Sequence, residues 1–372
     1  MSHPFTHLHL ASGYSFKYGT TLPEKIVEQA HNFAMSAIAL TDRDTLAGAI
    51  RFVGSCLTYS ISPIIGVDFE ADEGSRLTLL ATPGRGWTSL VRLVTAIKES
   101  GSPLSLRFLQ DHSELTSHLL ALHGPDSLIG RAIVARRYEK ALALFNQSRD
   151  LFLDQTIECV SHLIAGDGPR STTHAARALG FARDHDLPVL LTNAARMLTR
   201  DDAPIADILD ATRHRLPLHK KVVERRNAEA FVKDTDEMSL LADQIARAAG
   251  ERNGRALLRT TREWAERATL SPKSDIGIGS IHLPEPEVVG ARNQDELIRQ
   301  LRNRSYSGIA HRYGSDRPDV IERLEKELSI IRELGYESYF LTVADVTDRA
   351  RASGIRVAAR GSGAGSLVCH QI

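Results

Sequence analysis

SAIALTDRDTLAGAIRFVGSCLTYSISPIIGVDFE (36–70) begins and ends in a short apolar run, SAIALTD (36–42) and PIIGVDFE (63–70), and each run leads to an acidic residue, Asp42 and Asp68. Apolar runs without strict alternation are the mark of strands buried on both faces. Five more stretches read the same way: THLHL (6–10), RLTLLAT (76–82), HLLALHG (118–124), LFLDQTIE (151–158) and PVLLTN (188–193). Amphipathic stretches lie between several of them, at Leu22–Ala34, Thr88–Lys98, Arg131–Phe145 and Thr172–His185. Leu22-Pro23-Glu24 suits a helix start, with proline early and an acid in the first turn. Strands of this kind separated by helices predict an α/β fold with a mostly parallel sheet and helices outside it. Seven of them within the first 193 residues predict a distorted β/α barrel of about seven strands rather than an open sheet. In such barrels the chemistry gathers where strands end.

Downstream the texture changes. Residues 216–272 are charged and read as mostly helical (HKKVVERRNAEAF, MSLLADQIARAAG, REWAERA), and SPKSDIGIGSIHLPEPEVVG (271–290) is rich in Gly, Pro and Ser. The organisation expected is a barrel at 1–215, a helical extension at 216–272, a linker at 273–290 and a second unit at 291–372. In that unit the pattern predicts helices Gln294–Tyr313 and Asp316–Leu334, an aromatic turn GYESYF (335–340) and a helix Val343–Ser353. A strand IRVAA (355–359) and the loop RGSGAGSL (360–367) complete it.

The 372 residues suffice for two domains with separate cores. A formal net charge of zero carries no global electrostatic sign of nucleic-acid binding, which argues against a free-standing DNA-binding module. Cys56, Cys159 and Cys369 form no C-x-x-C pair, so neither a disulfide framework nor a cysteine zinc site is expected. The start, MSHPFTHLHLAS, lacks the basic and apolar regions of a signal peptide, and no apolar run spans a bilayer. A cytoplasmic protein without membrane association is the expectation.

His7 and His9 alternate on one strand, which turns both imidazoles to the same face. With Asp42 and Asp68 at two further strand ends, they offer ligands for zinc or manganese. An H-x-H pair on a strand has a plainer reading too, as hydrogen-bonded or half-exposed histidines.

FTHLHLASGYSFKYGT, AIALTDRDTLAGAIRF, SPIIGVDFEA and LTLLATPGRGWTSLVRL resemble the polymerase and histidinol phosphatase (PHP) domain that opens bacterial DNA polymerase III alpha subunits. The resemblance implies further His, Cys and Asp ligands in metal-competent members, and here those positions hold Arg43, Arg76, Pro125, Ala194 and Arg196. A guanidinium has no lone pair to donate and places a fixed positive charge where a dication would sit. His7, His9, Asp42 and Asp68 are therefore expected to form a vestigial, metal-free site in which arginines pair with Asp42 and Asp68. HGPDSLIGRA and LTNAARM look more like the error-prone branch of the family than its main replicase.

In ARGSGAGSL (359–367) three glycines permit positive φ and close backbone approach, a geometry suited to phosphate. No G-K-[ST] follows, so it is not a Walker A loop. The surrounding ELSIIRELGYESYFLTVADVTDRARASGIRVAARGSGAGSLV resembles the start of the alpha-subunit palm, an α+β domain that this chain only begins. By that resemblance Arg360, Gly361, Ser362, Gly363 and Ser366 are candidate nucleotide contacts. The resemblance also implies Mg2+ held by aspartates of a downstream motif, so no catalytic residue and no bound metal is expected within 1–372. Asp345 and Asp348, at i and i+3 on a helix, are expected to form a solvated face.

The function implied is DNA-directed DNA polymerase, with primer–template DNA and dNTP as substrates and replisome or mutasome proteins as partners. Two other readings stand beside it. One is an independent PHP phosphoesterase or 3′–5′ exonuclease, which the missing ligands oppose. The other is a non-enzymatic interaction platform, which the intact apolar framework of 1–270 favours.

Overall fold

The computed structural model describes residues 4–217, 226–314 and 317–372. The chain divides into two compact units, 1–278 and 279–372.

Unit 1 is built on a curled six-stranded sheet in chain order: β1 (Ala37–Arg43), β2 (Ser62–Ala71), β3 (Ser75–Ala81), β4 (Leu119–His123), β5 (Asp154–Val160) and β6 (Val189–Thr192). All neighbours run parallel except where β3 turns back against β2 and β4. The tight turn at 72–74, with Glu73 and Gly74 both at positive φ, makes that hairpin. THLHL does not register as a strand with a ladder of its own. It nevertheless meets both edges of the sheet. Ala39 and Thr41 of β1 donate backbone N–H bonds to His7 O and Leu10 O at 2.9 and 2.8 Å. On its other side Ala11 donates to Ala195 O, just past β6, at 2.8 Å, and Ala195 donates to His9 O at 3.1 Å.

Both faces of the sheet are buried, which is why the strands read as unbroken apolar runs. One face joins Leu8, Ala39, Ile64, Leu80, Leu122 and Leu190 to Trp264 of helix Arg255–Ala268. The other face carries Ile38, Leu40, Ile65, Val67 and Leu79, which pack with helices Pro23–Asn32 and Ala49–Tyr59. The helix expected as an outlying extension thus supplies a core residue to the sheet. Of the charged stretch read as helical, 218–225 lie outside the described residues and 226–234 form no helix. Helix Thr235–Ala248 starts after them on a capping box of Asp234 and Glu237. The helix expected over 131–145 is two, Leu128–Val134 and Tyr138–Gln147, broken where Arg136 takes φ 57°. Residues 271–278, within the stretch read as a linker, pack on unit 1: Gly84 N–H donates to Asp275 Oδ1 at 3.0 Å, and Ile276 and Ile278 lie against the core.

Unit 2 is helical: Gln294–Tyr313, Pro318–Leu334, Glu337–Ala352 and a short Leu367–Gln371. Leu297, Leu301, Leu324, Leu328, Leu341 and the fully buried Val368 share its core. The third helix begins inside the stretch expected as an aromatic turn, because Gly335 at φ 71° ends the preceding helix at once and leaves Glu337 free to start the next. IRVAA is not a strand. Residues 355–359 are exposed and pair with no strand among the described residues. A strand exists only by pairing, whatever its propensity.

Candidate functional site

Three strand ends of unit 1 meet at a small polar site. Asp68 on β2 is at its centre, 4% exposed. Arg76, across the β2–β3 hairpin, donates from Nε to Asp68 Oδ2 at 2.7 Å, and its Nη2 donates both to the Asp68 carbonyl and to Asp44 Oδ2, the latter at 3.1 Å. Arg43 Nε is 3.4 Å from the same Asp68 oxygen. Its guanidinium lies 3.3 Å from the ring centroid of Tyr18, which also underlies Arg196 at 4.3 Å. Burial alone would raise the Asp68 pKa, but Arg76, His9 and Arg43 outweigh it and hold the carboxyl below its ordinary value.

His9 and Asp68 are brought together, with His9 Nε2 at 4.0 Å from Asp68 Oδ2. His9 Nδ1–H donates to Glu158 Oε1 at 2.8 Å, and that oxygen also accepts the Thr192 hydroxyl. Burial pulls the His9 pKa down, but Glu158 and Asp68 prevail and raise it. His7 serves a different purpose. Its Nε2–H donates to Lys233 O at 2.9 Å, and burial lowers its pKa to about 4. Asp42 also departs from expectation. No arginine pairs with it among the described residues; instead Ser12 N–H (2.7 Å), the Ser12 hydroxyl (2.8 Å) and the Ser15 hydroxyl (2.7 Å) fill its oxygens. Burial raises its pKa against those bonds. The serines reach Asp42 because the chain at 11–15 lies against the end of β1, where Ser12 N–H and the Ser12 and Ser15 hydroxyls all bond it. Arg196 turns elsewhere, donating to both oxygens of buried Asp210 at 2.8 and 3.2 Å.

Glu158, Tyr18, Ser12 and Ser15 belong to this site and were absent from the sequence-based set. Glu158 had a legible signal, since it ends an apolar run as Asp42 and Asp68 do. The other three lie on an irregular segment with no periodicity to read.

These residues do not fit a divalent metal. A ligand needs a lone pair aimed at a shared point. His9 Nε2 does face Asp68, but Arg76 binds Asp68 Oδ2 and Arg43 lies 3.4 Å from the same oxygen, which puts fixed positive charge where a dication would sit, and both Asp42 oxygens accept serine bonds. Among the described residues no three His, Cys, Asp or Glu side chains converge as a metal cluster. The adjoining cavity, lined by His9, Arg43, Asp68, Arg76 and Glu158, holds about 20 Å³, room for one water.

The Gly/Ser loop of unit 2 is exposed from Arg360 to Gly365. Of its three glycines only Gly361 takes positive φ, at 90°. Ala364 N–H and Ser366 N–H close a tight turn on Gly361 O (3.2 Å) and Gly363 O (3.0 Å). Ser366 differs from the rest: it caps helix Leu367–Gln371, accepting Cys369 N–H at 3.2 Å, while its hydroxyl donates to Glu327 Oε2 at 2.8 Å. Asp345 and Asp348 are both held by the Arg304 guanidinium, with Asp345 Oδ1 at 2.6 Å, on a half-exposed surface.

Comparison with known proteins agrees with both halves. The PHP domain profile matches residues 7–162, and the profile described as the bacterial DNA polymerase III alpha NTPase domain matches 299–372. An error-prone DNA polymerase of Mesorhizobium japonicum is 32% identical, covering 99% of this chain and 31% of its own length. One of Pseudomonas fluorescens is 29% identical over 99% of this chain and 33% of its own length. A DNA polymerase III subunit alpha of Buchnera aphidicola is 27% identical over 99% and 32%. The chain therefore spans about a third of the length of these relatives. Among solved structures, an amidohydrolase from Chromobacterium violaceum aligns at 14% identity and TM-score 0.35 over 52% of this chain and 87% of its own, a likeness too slight to bear on function. No helix among the described residues is long and apolar enough to cross a membrane. With a PHP domain match followed by a match to the bacterial DNA polymerase III alpha NTPase domain, this chain is similar over nearly its whole length to about a third of the length of error-prone DNA polymerases and of a DNA polymerase III subunit alpha.

Proposed function

We propose that this chain forms the N-terminal part of a DNA-directed DNA polymerase of the error-prone type, with unit 1 as a metal-free scaffold and the loop at 360–363 as a contact for the triphosphate of an incoming nucleotide. The observation that carries the reading is the alignment of nearly the whole chain with polymerases of that name. The salt-bridged site supports the scaffold role, because Arg76 and Arg43 neutralise Asp68 where a catalytic metal would have to sit. The arginine-for-ligand substitutions at positions 43, 76 and 196 also disfavour an independent metal-dependent phosphoesterase.

Arg360 brings a full positive charge to an exposed, glycine-bent turn, and Ser362 a hydroxyl donor. These groups suit the positioning of phosphates. Magnesium ions bound by carboxylates of the complete polymerase would supply the charge stabilisation of nucleotidyl transfer. Asp345 and Asp348 are not those carboxylates, since Arg304 pairs with both and Arg351 pairs with Asp348 as well.

Primer extension tests the proposal. The 372-residue chain alone should not extend a primer. The same chain joined to the part of the Pseudomonas fluorescens relative that follows the matched region should extend it, with KM for dNTP raised by Arg360→Ala. Extension by the chain alone would move the active site elsewhere. A folded chimera that fails to extend with DNA, dNTP and Mg2+ would remove the polymerase reading.

A further inference from the structure

The Gly/Ser loop is gripped from outside by two residues one helical turn apart on helix Pro318–Leu334. Arg323 donates from a terminal nitrogen to Gly365 O at 2.7 Å and from Nε to Glu327 Oε1 at 3.2 Å. The other oxygen of Glu327 accepts both the Ser366 hydroxyl at 2.8 Å and Val368 N–H at 3.1 Å. The four bonds join the end of the loop, the cap of the next helix and that helix's first turn. Buried Val368 and Leu367 fix the same turn from the core side.

Partial burial would raise the Glu327 pKa, but the backbone N–H groups of Leu367 and Val368, the Ser366 hydroxyl and Arg323 together lower it. The carboxylate is therefore charged at neutral pH, and charged acceptors make the stronger hydrogen bonds. Ser366 has one hydroxyl proton, and Glu327 takes it. Ser366 consequently has no proton left to offer a phosphate, whereas Arg360, Ser362 and Gly363 stay exposed.

We infer that Arg323 and Glu327 are positioning residues of the nucleotide loop, and that Ser366 is their anchor rather than a phosphate contact. The inference rests on the nucleotide reading of the loop. Its logic is mechanical. A glycine-bent turn whose early residues face solvent can present Arg360 and Ser362 in one geometry only if its far end is fixed. The clamp does that without occupying the exposed edge.

Steady-state primer extension with the chimeric polymerase described above, with dATP as the varied nucleotide, tests the inference. Glu327→Ala should raise KM for dATP about tenfold or more while kcat stays within about twofold, as expected when a bound group is mispositioned. Glu327→Gln retains an oxygen for Ser366 and Val368 and should recover most of the loss. Ser366→Ala should change KM in the same direction as Glu327→Ala, and combining the two should give less than the sum because both break the Ser366–Glu327 bond. Hydrogen exchange on the 372-residue chain separates loosening from misfolding: Glu327→Ala should accelerate exchange at 364–369 and leave helix Gln294–Tyr313 unchanged. An unchanged KM in Glu327→Ala, an additive Ser366→Ala effect, or faster exchange throughout unit 2 would each overturn the clamp. If Arg360→Ala also leaves KM unchanged, it is the nucleotide reading itself that falls.

Discussion

Arg76 reaches diagonally across the β2–β3 hairpin to Asp68, joined Nε to Oδ2 at 2.7 Å, with side chains 16% and 5% exposed. Removing one partner of so buried a pair leaves an unmatched charge, at a cost of about 3–5 kcal/mol. Arg76→Ala should therefore destabilise unit 1 strongly in urea. Arg76→Ala with Asp68→Ala should cost less than the two singles summed. Strict additivity would mean that the pair does not interact.

The same pairing bears on metal content. The purified chain is expected to hold no stoichiometric zinc, manganese or iron by elemental analysis, because Arg76 and Arg43 place fixed positive charge on Asp68 and serine bonds fill the Asp42 oxygens. Close to one metal per chain, lost in His9→Ala, would contradict this.

Acid should weaken unit 1 through its buried histidines. Burial lowers the pKa of His123 to about 4 and that of His162 to about 3, against 6.5 when unfolded. Below 6.5 the unfolded chain binds protons that the folded chain refuses, so stability is complete above that pH and falls as pH drops toward 4. Each such histidine contributes a slope of up to about 1.4 kcal/mol per pH unit. His123 Nε2–H donates to Gln155 Oε1 at 3.0 Å, and Ser148 also donates to that oxygen at 2.8 Å. His123→Phe therefore leaves Gln155 with a partner. Urea midpoints at pH 7 and pH 5 should lie closer together in the variant; an unchanged gap would mean that His123 titrates normally.

Gly308 lies where the last helix crosses helix Gln294–Tyr313. A Cβ there would stand 2.3 Å from Gln371 O and 2.8 Å from its side chain. Gly308→Ala should cost unit 2 about 1–3 kcal/mol through overpacking. An undisturbed melting transition would show that the crossing relaxes freely.

Residues 279–282 are exposed, with Ile281 70% accessible, whereas 275–278 are tied to unit 1. Limited proteolysis should cut first at 279–285 and leave a resistant fragment that ends near Ile278. Early cleavage at 271–276 instead would mean that the packing of Ile276 and Ile278 is weak.

The sequence by itself determined the α/β class of unit 1, the strands from β1 to β6 and the start and end of helix Gln294–Tyr313. Those features follow from local patterns: apolar runs long enough for a strand, an Asn293 cap, and Gly314 at the helix end. It also marked His9 and Asp68 as neighbours-to-be, through strand ends that a sheet must bring side by side, while Arg76 was singled out only by the resemblance to the PHP domain. Tertiary structure alone decided which carboxylate met which partner. Asp42 went to Ser12 and Ser15 because an irregular segment folds over β1, and no spacing in the chain encodes that crossing. Trp264 joined the sheet core from a helix that reads as a charged, exposed element, since one buried face in four turns is enough to dock it. IRVAA remained unpaired for the complementary reason: strand propensity is local, but the hydrogen bonds that make a strand come only from a neighbour. The clamp of Arg323 and Glu327 on the Gly/Ser loop spans about forty residues of sequence, and only packing of the helices in unit 2 brings its parts within 3 Å.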